Sequence, residues 1–220
     1  KITEGCSNHC TFCAIPLIRG ELRSRKAEEI IDEIKSLIDR GIVEFNLIGQ
    51  DLASYGSGAN DDVFGTGRFP LPEIDENGVN RGTEQKSALS LLLEKISELK
   101  GNFIVRLLYI HPDHFNRDIL PVIQKDRRLL HYFDIPFQSG DDSVIKAMNR
   151  KGTAAEYLRL AEDIRKALPD VVLRTTFLTG FPGESEEAAE NSLTFLKNLR
   201  SSWSGCFPYS REEDTPAYSM

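Results

Sequence analysis

Short apolar, β-branched runs alternate along this chain with stretches of helical periodicity, and that order leaves few folds open. Residues 2–4, 43–48, 103–110, 133–137, 171–178 and 205–209 each read as a strand. Between them, Ala27, Ile30, Ile31, Ile34, Leu37 and Ile38 recur at helical spacing, and Gly41 ends the run as a C′ glycine. Leu89, Leu92, Leu93, Ile96 and Leu99 share a second helical face. Pro112 and Asp113 open a further helix carrying Phe115, Ile119, Leu120 and Ile123. Residues 141–148 and 186–199 are helical, and Thr153 with Glu156 forms a capping-box signature for a helix reaching Ala167. Six strands separated mostly by helices predict a parallel sheet with right-handed crossovers. The count alone is met equally by a barrel and by a doubly wound sheet. Residues 54–85 are rich in Gly, Asn, Asp and Pro with no apolar period, and read as a long excursion.

The 220 residues suit one α/β unit of barrel size, here 1–220. No run of eighteen or so apolar residues and no basic-then-apolar leader is present, so a membrane span is not expected and a cytoplasmic, reducing setting is. The abrupt start at Lys1 and the uncapped end at Met220 read as a piece of a longer protein. A net charge of −7 weighs against gripping nucleic acid through a basic face, with residues 19–26 as a local basic exception.

Chemistry starts at the cysteines. Three of the four, Cys6, Cys10 and Cys13, fall within one CxxxCxxC run, and the fourth is Cys206. So tight an odd cluster without a secretory signal points to a metal rather than a disulfide. A structural zinc site wants four ligands; His9 would have to be the fourth, and adjacent residues such as His9 and Cys10 rarely aim at one ion. Three thiolates are sufficient for three irons of a cubane cluster, with the fourth iron open to a ligand. Cys206 reads as a small buried hydrophobe.

Other candidates gather at strand ends. Gly49-Gln50-Asp51 ends the second strand, Gln138-Ser139-Gly140 the fourth and Gly180-Phe181-Pro182-Gly183-Glu184 the fifth, which puts them on the rim that carries the cysteine loop. The last of these is either a plain tight turn or a place where backbone approaches a ligand. Arg174 and Thr176 alternate on the fifth strand and share a face. Arg174 there needs a ligand carboxylate or a structural ion pair. His111 at the end of the third strand is either structural or a ligand, and Tyr209 and Arg211 sit where substrate could meet them.

The CxxxCxxC, with Phe12 just before its last cysteine, resembles the radical S-adenosylmethionine (radical SAM) enzymes, whose fold is a partial (β/α)6 open TIM-like barrel. Further segments, covering nearly the whole chain, resemble the methylthiotransferases of that superfamily: Ile15 to Gly20 with Arg23 to Arg25, Gln50 to Gly56, Asp134 to Gly140, and Gly180 to Glu184. Leu108 to Pro112, Tyr132 to Gln138, Leu173 to Thr176 and Phe207 to Glu213 are similar to the RimO type, which modifies the β-carbon of an aspartate in a small-subunit ribosomal protein. The alternative branch, MiaB, modifies a tRNA adenosine, and only that branch would make nucleic acid a partner. A non-catalytic zinc-binding module is the alternative of another class.

The resemblance implies that Cys6, Cys10 and Cys13 hold a [4Fe–4S] cluster whose open iron chelates S-adenosylmethionine. One electron, from a reductant such as flavodoxin or ferredoxin, then cleaves the sulfonium to give a 5′-deoxyadenosyl radical. It further implies that Gln50, Gln138, Ser139, Arg174 and Thr176 meet polar groups of S-adenosylmethionine. Phe12 and Phe181 would surround its adenine, Gly180 would lie at the cofactor, and Arg150 would meet a carboxylate or a stabilising partner. No catalytic acid or base is assigned. Sulfur insertion would use a second [4Fe–4S] cluster on an N-terminal domain, and a C-terminal TRAM domain would help hold substrate; neither is within these residues. The superfamily's GxIxGxxE motif is only approximated by Thr176-x-Leu178-x-Gly180, with Gly183 in the glutamate position and Glu184 one residue late. Residues 61–81 form an insertion without an assigned role.

Overall fold

The computed structural model, which describes residues 1–72 and 85–220, puts five of the six expected strands in one parallel sheet. Thr3–Glu4 (β1) and Arg23–Ser24 (β2) pair as a small antiparallel ribbon. Glu44–Leu47 (β3), Ile104–Leu107 (β4), Leu129–Asp134 (β5), Val172–Thr179 (β6) and Trp203–Pro208 (β7) then lie side by side in chain order, each parallel to the next. That order has no reversal. A doubly wound sheet changes direction at a switch point, so the topology selects the open barrel over the alternative.

The first strand departs from expectation. Ile2 N–H donates to the Ile48 carbonyl at 3.0 Å, which seats the N-terminus beside β3, but the chain then turns away into the β1–β2 ribbon. Gly5 makes this turn at φ 72°, and a Cβ there would sit 2.2 Å from the Glu21 carbonyl oxygen. The fourth strand begins at Leu129 rather than residue 133. Pro136, with no N–H to donate, helps end it before residue 137. The helix expected after Pro112 is two 3-10 turns, Pro112–His114 and Arg117–Ile119, before a true helix forms.

The helices are Ile15–Arg19 (α1), Ala27–Asp39 (α2), Ala88–Ser97 (α3), Leu120–Lys125 (α4), Asp142–Ala147 (α5), Ala154–Ala167 (α6) and Glu186–Leu199 (α7). The apolar stripes of α2, α3 and α6 meet one side of the sheet. Ile30 and Ile34 from α2, Leu92, Leu93 and Ile96 from α3, and Leu160 and Ile164 from α6 join Phe45, Val105, Leu107, Phe133 and Leu173 in the core. Each such side chain contributes about 1.5–3 kcal/mol by leaving water. Thr153 and Glu156 form the reciprocal cap of α6. The opposite side of the sheet is polar: the Arg106 guanidinium lies 4.6 Å from the centre of the Tyr132 ring, and Arg174 reaches Asp134 at 3.7 Å.

Part of the expected excursion packs. Leu52–Ser54 form a 3-10 turn, and Val63 and Phe69 are buried. The proposed insertion at 61–81 falls partly outside the described residues. No helix among the described residues is long and apolar enough to cross a membrane.

Candidate functional site

At the carboxyl end of the sheet, a cavity of about 310 Å³ opens between the cysteine loop and the loops that follow β3, β4 and β5. Cys6, Cys10 and Cys13 all line it, with Phe12, Gln50, Gln138 and Arg150. Seven of the twelve sequence candidates therefore share one cavity, four from the cysteine loop and three from separate turns of backbone.

The cysteine loop is held from three sides. Cys6 N–H donates to the Gly20 carbonyl at 3.0 Å, and Cys13 N–H to the Cys10 carbonyl at 3.1 Å. Thr11 Oγ1 donates to Ala147 O at 2.8 Å, and Asn149 Nδ2 donates to His9 O at 2.7 Å, so the end of α5 carries the middle of the loop. His9 is exposed and does not line the cavity. Among the described residues no three His, Cys, Asp or Glu side chains converge closely enough for a single metal ion. A lone tetrahedral zinc needs thiolates about 2.3 Å from one centre, whereas a cubane spreads its ligands over separate irons. Burial pushes the Cys6 thiol up to about 11 and raises Cys10 as well, the latter against the pull of Arg150. Deprotonating these thiols thus needs a cation, as metal loading supplies.

Two polar atoms in the cavity wall are buried and unpartnered: Gln50 Oε1 and Arg150 Nε. Leaving a buried polar group unpaired costs about 1–3 kcal/mol, so these are places for a polar ligand. Arg150 is fixed by its other end, Nη1 donating to Pro136 O at 2.7 Å. Gln138 lines the cavity at φ 70°, and Tyr109 does so at φ 64°. A non-glycine residue at positive φ costs about 1–3 kcal/mol and clusters at functional sites.

Behind the cavity lies a buried polar network. Asp51 accepts from Asn8 Nδ2 at 3.1 Å, Ala53 N–H at 3.2 Å and His111 N–H at 3.2 Å, and contacts His114 Nδ1 at 2.6 Å. Burial opposes its charge, but the His114 contact and these donors hold the carboxyl well below the usual carboxylate range. His111 stacks on His114, ring centres 4.9 Å apart, and presents Nε2 3.8 Å from Cys10 Sγ.

The remaining candidates lie off the cavity. Ser139 is fully buried and its hydroxyl engages Ser192 at 3.2 Å and accepts from Asp141 N–H at 3.1 Å. Thr176 offers its carbonyl to Gln138 N–H at 2.8 Å. Gly180 takes φ 72° and donates to the Glu184 carboxylate, which closes the turn on itself. Phe181 is buried edge-on against Phe12, centroids 6.5 Å apart, and so backs the wall that Phe12 presents. Arg174 is about half exposed on the polar side of the sheet, paired to Asp134. Cys206, expected to be buried, is exposed, because β7 is an edge strand with β6 as its one neighbour. Sequence reasoning missed Asn8, Tyr109 and Pro136 in the lining; the positive φ of Tyr109 has no residue-type signal.

The comparisons with known proteins agree with this geometry. Residues 1–196 match the family model described as the radical SAM superfamily. A protein of Treponema denticola named ribosomal protein uS12 methylthiotransferase RimO is 53% identical over all of this chain and 46% of its own length. A protein of the same name from Carboxydothermus hydrogenoformans is 39% identical over the whole chain and 45% of its own length. The chain thus spans less than half of either relative. Streptococcus suis SuiB, solved with S-adenosylmethionine bound, superposes with a TM-score of 0.58 at 13% identity, covering 97% of this chain and 40% of that one; this likeness speaks for the fold. A cysteine triad opening on a cavity at the strand ends, a singly wound parallel sheet and a family match over residues 1–196 have one common reading: the chain belongs to the radical SAM superfamily.

Proposed function

We propose that these residues are the radical SAM core of a methylthiotransferase of the RimO type, acting on the β-carbon of an aspartate in a small-subunit ribosomal protein. The observation that carries this reading is the 53% identity maintained over the entire chain to a protein of that name. The superfamily works with a [4Fe–4S] cluster and S-adenosylmethionine, and the residues present fit both: three free cysteines at one cavity mouth, and unpartnered Gln50 Oε1 and Arg150 Nε in its wall. When bound, the pair supplies one-electron cleavage of a carbon–sulfur bond and, from it, hydrogen abstraction.

In this reading the thiolates of Cys6, Cys10 and Cys13 hold the irons. Gln50 Oε1 accepts from the amino group of S-adenosylmethionine and Arg150 meets its carboxylate, while Gln138 meets another of its polar groups. Phe12, braced by Phe181, forms the apolar wall for its adenine and keeps water from the reacting carbon. Ser139, Thr176 and Gly180 act behind that surface by shaping the backbone that carries Gln138 and Phe181. Arg174, about half exposed, is available to a carboxylate entering along the polar side of the sheet. Sulfur insertion falls to a second cluster on an N-terminal domain and substrate retention to a TRAM domain, both outside these residues, with a small reductant protein as the electron source.

Anaerobic reconstitution followed by iron and sulfide assay tests the core. About four irons per chain, bleaching by dithionite and a spectral change with S-adenosylmethionine are expected; zinc without colour overturns the reading. Mass spectrometry of ribosomal-protein and tRNA substrates, incubated with the protein inside its full-length context, tests the rest. A methylthio mass increment on an aspartate peptide is expected, and its appearance on tRNA instead overturns the RimO assignment.

A further inference from the structure

We propose that His111 is a positioning residue for the iron–sulfur cluster: its Nε2–H donates to the Cys10 sulfur and raises the cluster's reduction potential. The proposal rests on the radical SAM assignment and extends it to a residue outside the cysteine motif.

The geometry determines which ring nitrogen carries the proton. His111 Nδ1 faces the N–H of Asp113 at 3.3 Å and must accept from it. An accepting Nδ1 leaves the proton on Nε2, and Nε2 is the atom that lies 3.8 Å from Cys10 Sγ. The Asp113 carboxylate does not compete for the ring. It sits 3.8 Å from Nδ1 and is already occupied by Lys151 N–H at 2.9 Å, Gly152 N–H at 3.1 Å and the Tyr157 hydroxyl at 2.6 Å.

The ring is also prevented from turning away. One face stacks on His114 at an interplanar angle of 27°, and His114 is itself tied to Asp51. The backbone N–H of His111 donates to the same Asp51 carboxylate. Asp51 thus holds the residue by its main chain and, through His114, by its ring. Among the described residues, His111 is the one side chain that reaches a sulfur of the triad; the other contact, Asn8 N–H to Cys6 Sγ at 3.5 Å, comes from the backbone.

Reduction adds negative charge that the ligating sulfurs share. A donor aimed at one sulfur stabilises the reduced form more than the oxidised one, which shifts the potential upward. The same contact orients the Cys10 side chain, as outer partners of metal ligands do.

The test is a redox titration of the anaerobically reconstituted protein, wild type against His111→Leu and His111→Gln, with iron and sulfide assayed in each. Leucine removes the donor. Glutamine returns an N–H near the place of Nε2. The expected result is a His111→Leu protein with its irons retained and a midpoint shifted to more negative potential, and a His111→Gln protein shifted back toward wild type. An unchanged midpoint in His111→Leu with a full cluster overturns the proposal, as does a His111→Gln midpoint no different from that of leucine. If His111→Leu fails to load, a His9→Gln protein, which lacks the one histidine inside the cysteine loop, decides: with ¹⁵N-labelled histidine, pulsed EPR of its reduced cluster should show a histidine nitrogen coupling, and its absence overturns the proposal. Failure of the wild-type protein to take up any cluster overturns the radical SAM assignment and the proposal with it, and iron content separates that result from the others.

Discussion

At the scale of single residues, the chain invests heavily in one carboxylate. Asp51 is 1% exposed and gathers contacts from the cysteine loop, the 3-10 turn after it and both histidines after β4. Hydrogen bonds to a charged group are worth about 1.5–3 kcal/mol, so Asp51→Asn, which takes the charge from the acceptor they share, should lower stability by roughly that amount in urea denaturation at neutral pH. The sign of its pH dependence follows from the depressed folded-state pKa. The stabilisation is present above the ordinary carboxylate pKa of about 3.9 and is lost as pH falls below it toward the folded value. Wild-type stability should therefore begin to fall below about pH 5 and keep falling as the pH drops past about 3 toward the folded-state value, and Asp51→Asn should flatten that part of the curve. Cysteine replacement separates ligand from bystander: serine at Cys6, Cys10 or Cys13 should abolish the visible absorption of the reconstituted protein, and Cys206→Ser, at an exposed edge position, should leave it intact. That Cys6, Cys10 and Cys13 would share one place was legible from their spacing. The role of Asp51 was not, because its partners are distant in sequence and meet it only after β3 and β4 are paired.

At the scale of elements, local signals predict well where they are self-contained. The capping box of α6 is one: Thr153 accepts from Glu156 N–H and the Glu156 carboxylate returns to Thr153 N–H. Thr153→Ala should cost about 1 kcal/mol, read as a lower denaturation midpoint with an unchanged slope. Gly140 is the opposite case. Its need for glycine comes from α7, since a Cβ would lie 2.2 Å from Phe195 Cβ. Forcing a methyl into that contact costs about 1–3 kcal/mol, so Gly140→Ala should destabilise at least as much as loss of the cap and should move the Gln138 loop. The errors of the sequence reading have the same origin. The β1–β2 ribbon depends on a two-residue partner, Arg23–Ser24, too short to show a period, and the segment after Pro112 follows the side-chain bonds of His111, Asp113 and Asn116 rather than helical spacing.

At the scale of the whole molecule, the parallel sheet ends in two edges, β3 and β7, and does not close. Trp203 and Phe207 stand exposed on β7, so the lateral opening of the barrel has an apolar lip beside Arg174, which pairs in register with Trp203. The cavity lies at the carboxyl end of the sheet, where loops from β3, β4 and β5 converge, and a ligand seated there ties together segments far apart in sequence. Binding to the folded state alone should raise the unfolding temperature. For S-adenosylmethionine at one hundred times its dissociation constant the gain is about 2.7 kcal/mol, or roughly 5–10 °C for a chain of this length, measured by calorimetry of the cluster-loaded protein with and without it. No shift would mean that the cavity does not take S-adenosylmethionine.

What the sequence determined by itself is what short-range patterns encode. The strand–helix alternation settled the α/β class, the caps and apolar stripes located α2, α3, α6 and α7, and the spacing of three thiols in one tight loop pointed to a metal rather than a disulfide. Tertiary structure decided the remainder. It chose a singly wound barrel over a doubly wound sheet, put Gln138 and Tyr109 into strained conformations at the cavity, drew Arg174 to Asp134, and turned His111 toward Cys10. Each of these depends on pairing between strands tens of residues apart, and only a completed sheet brings such groups within a few ångströms of one another.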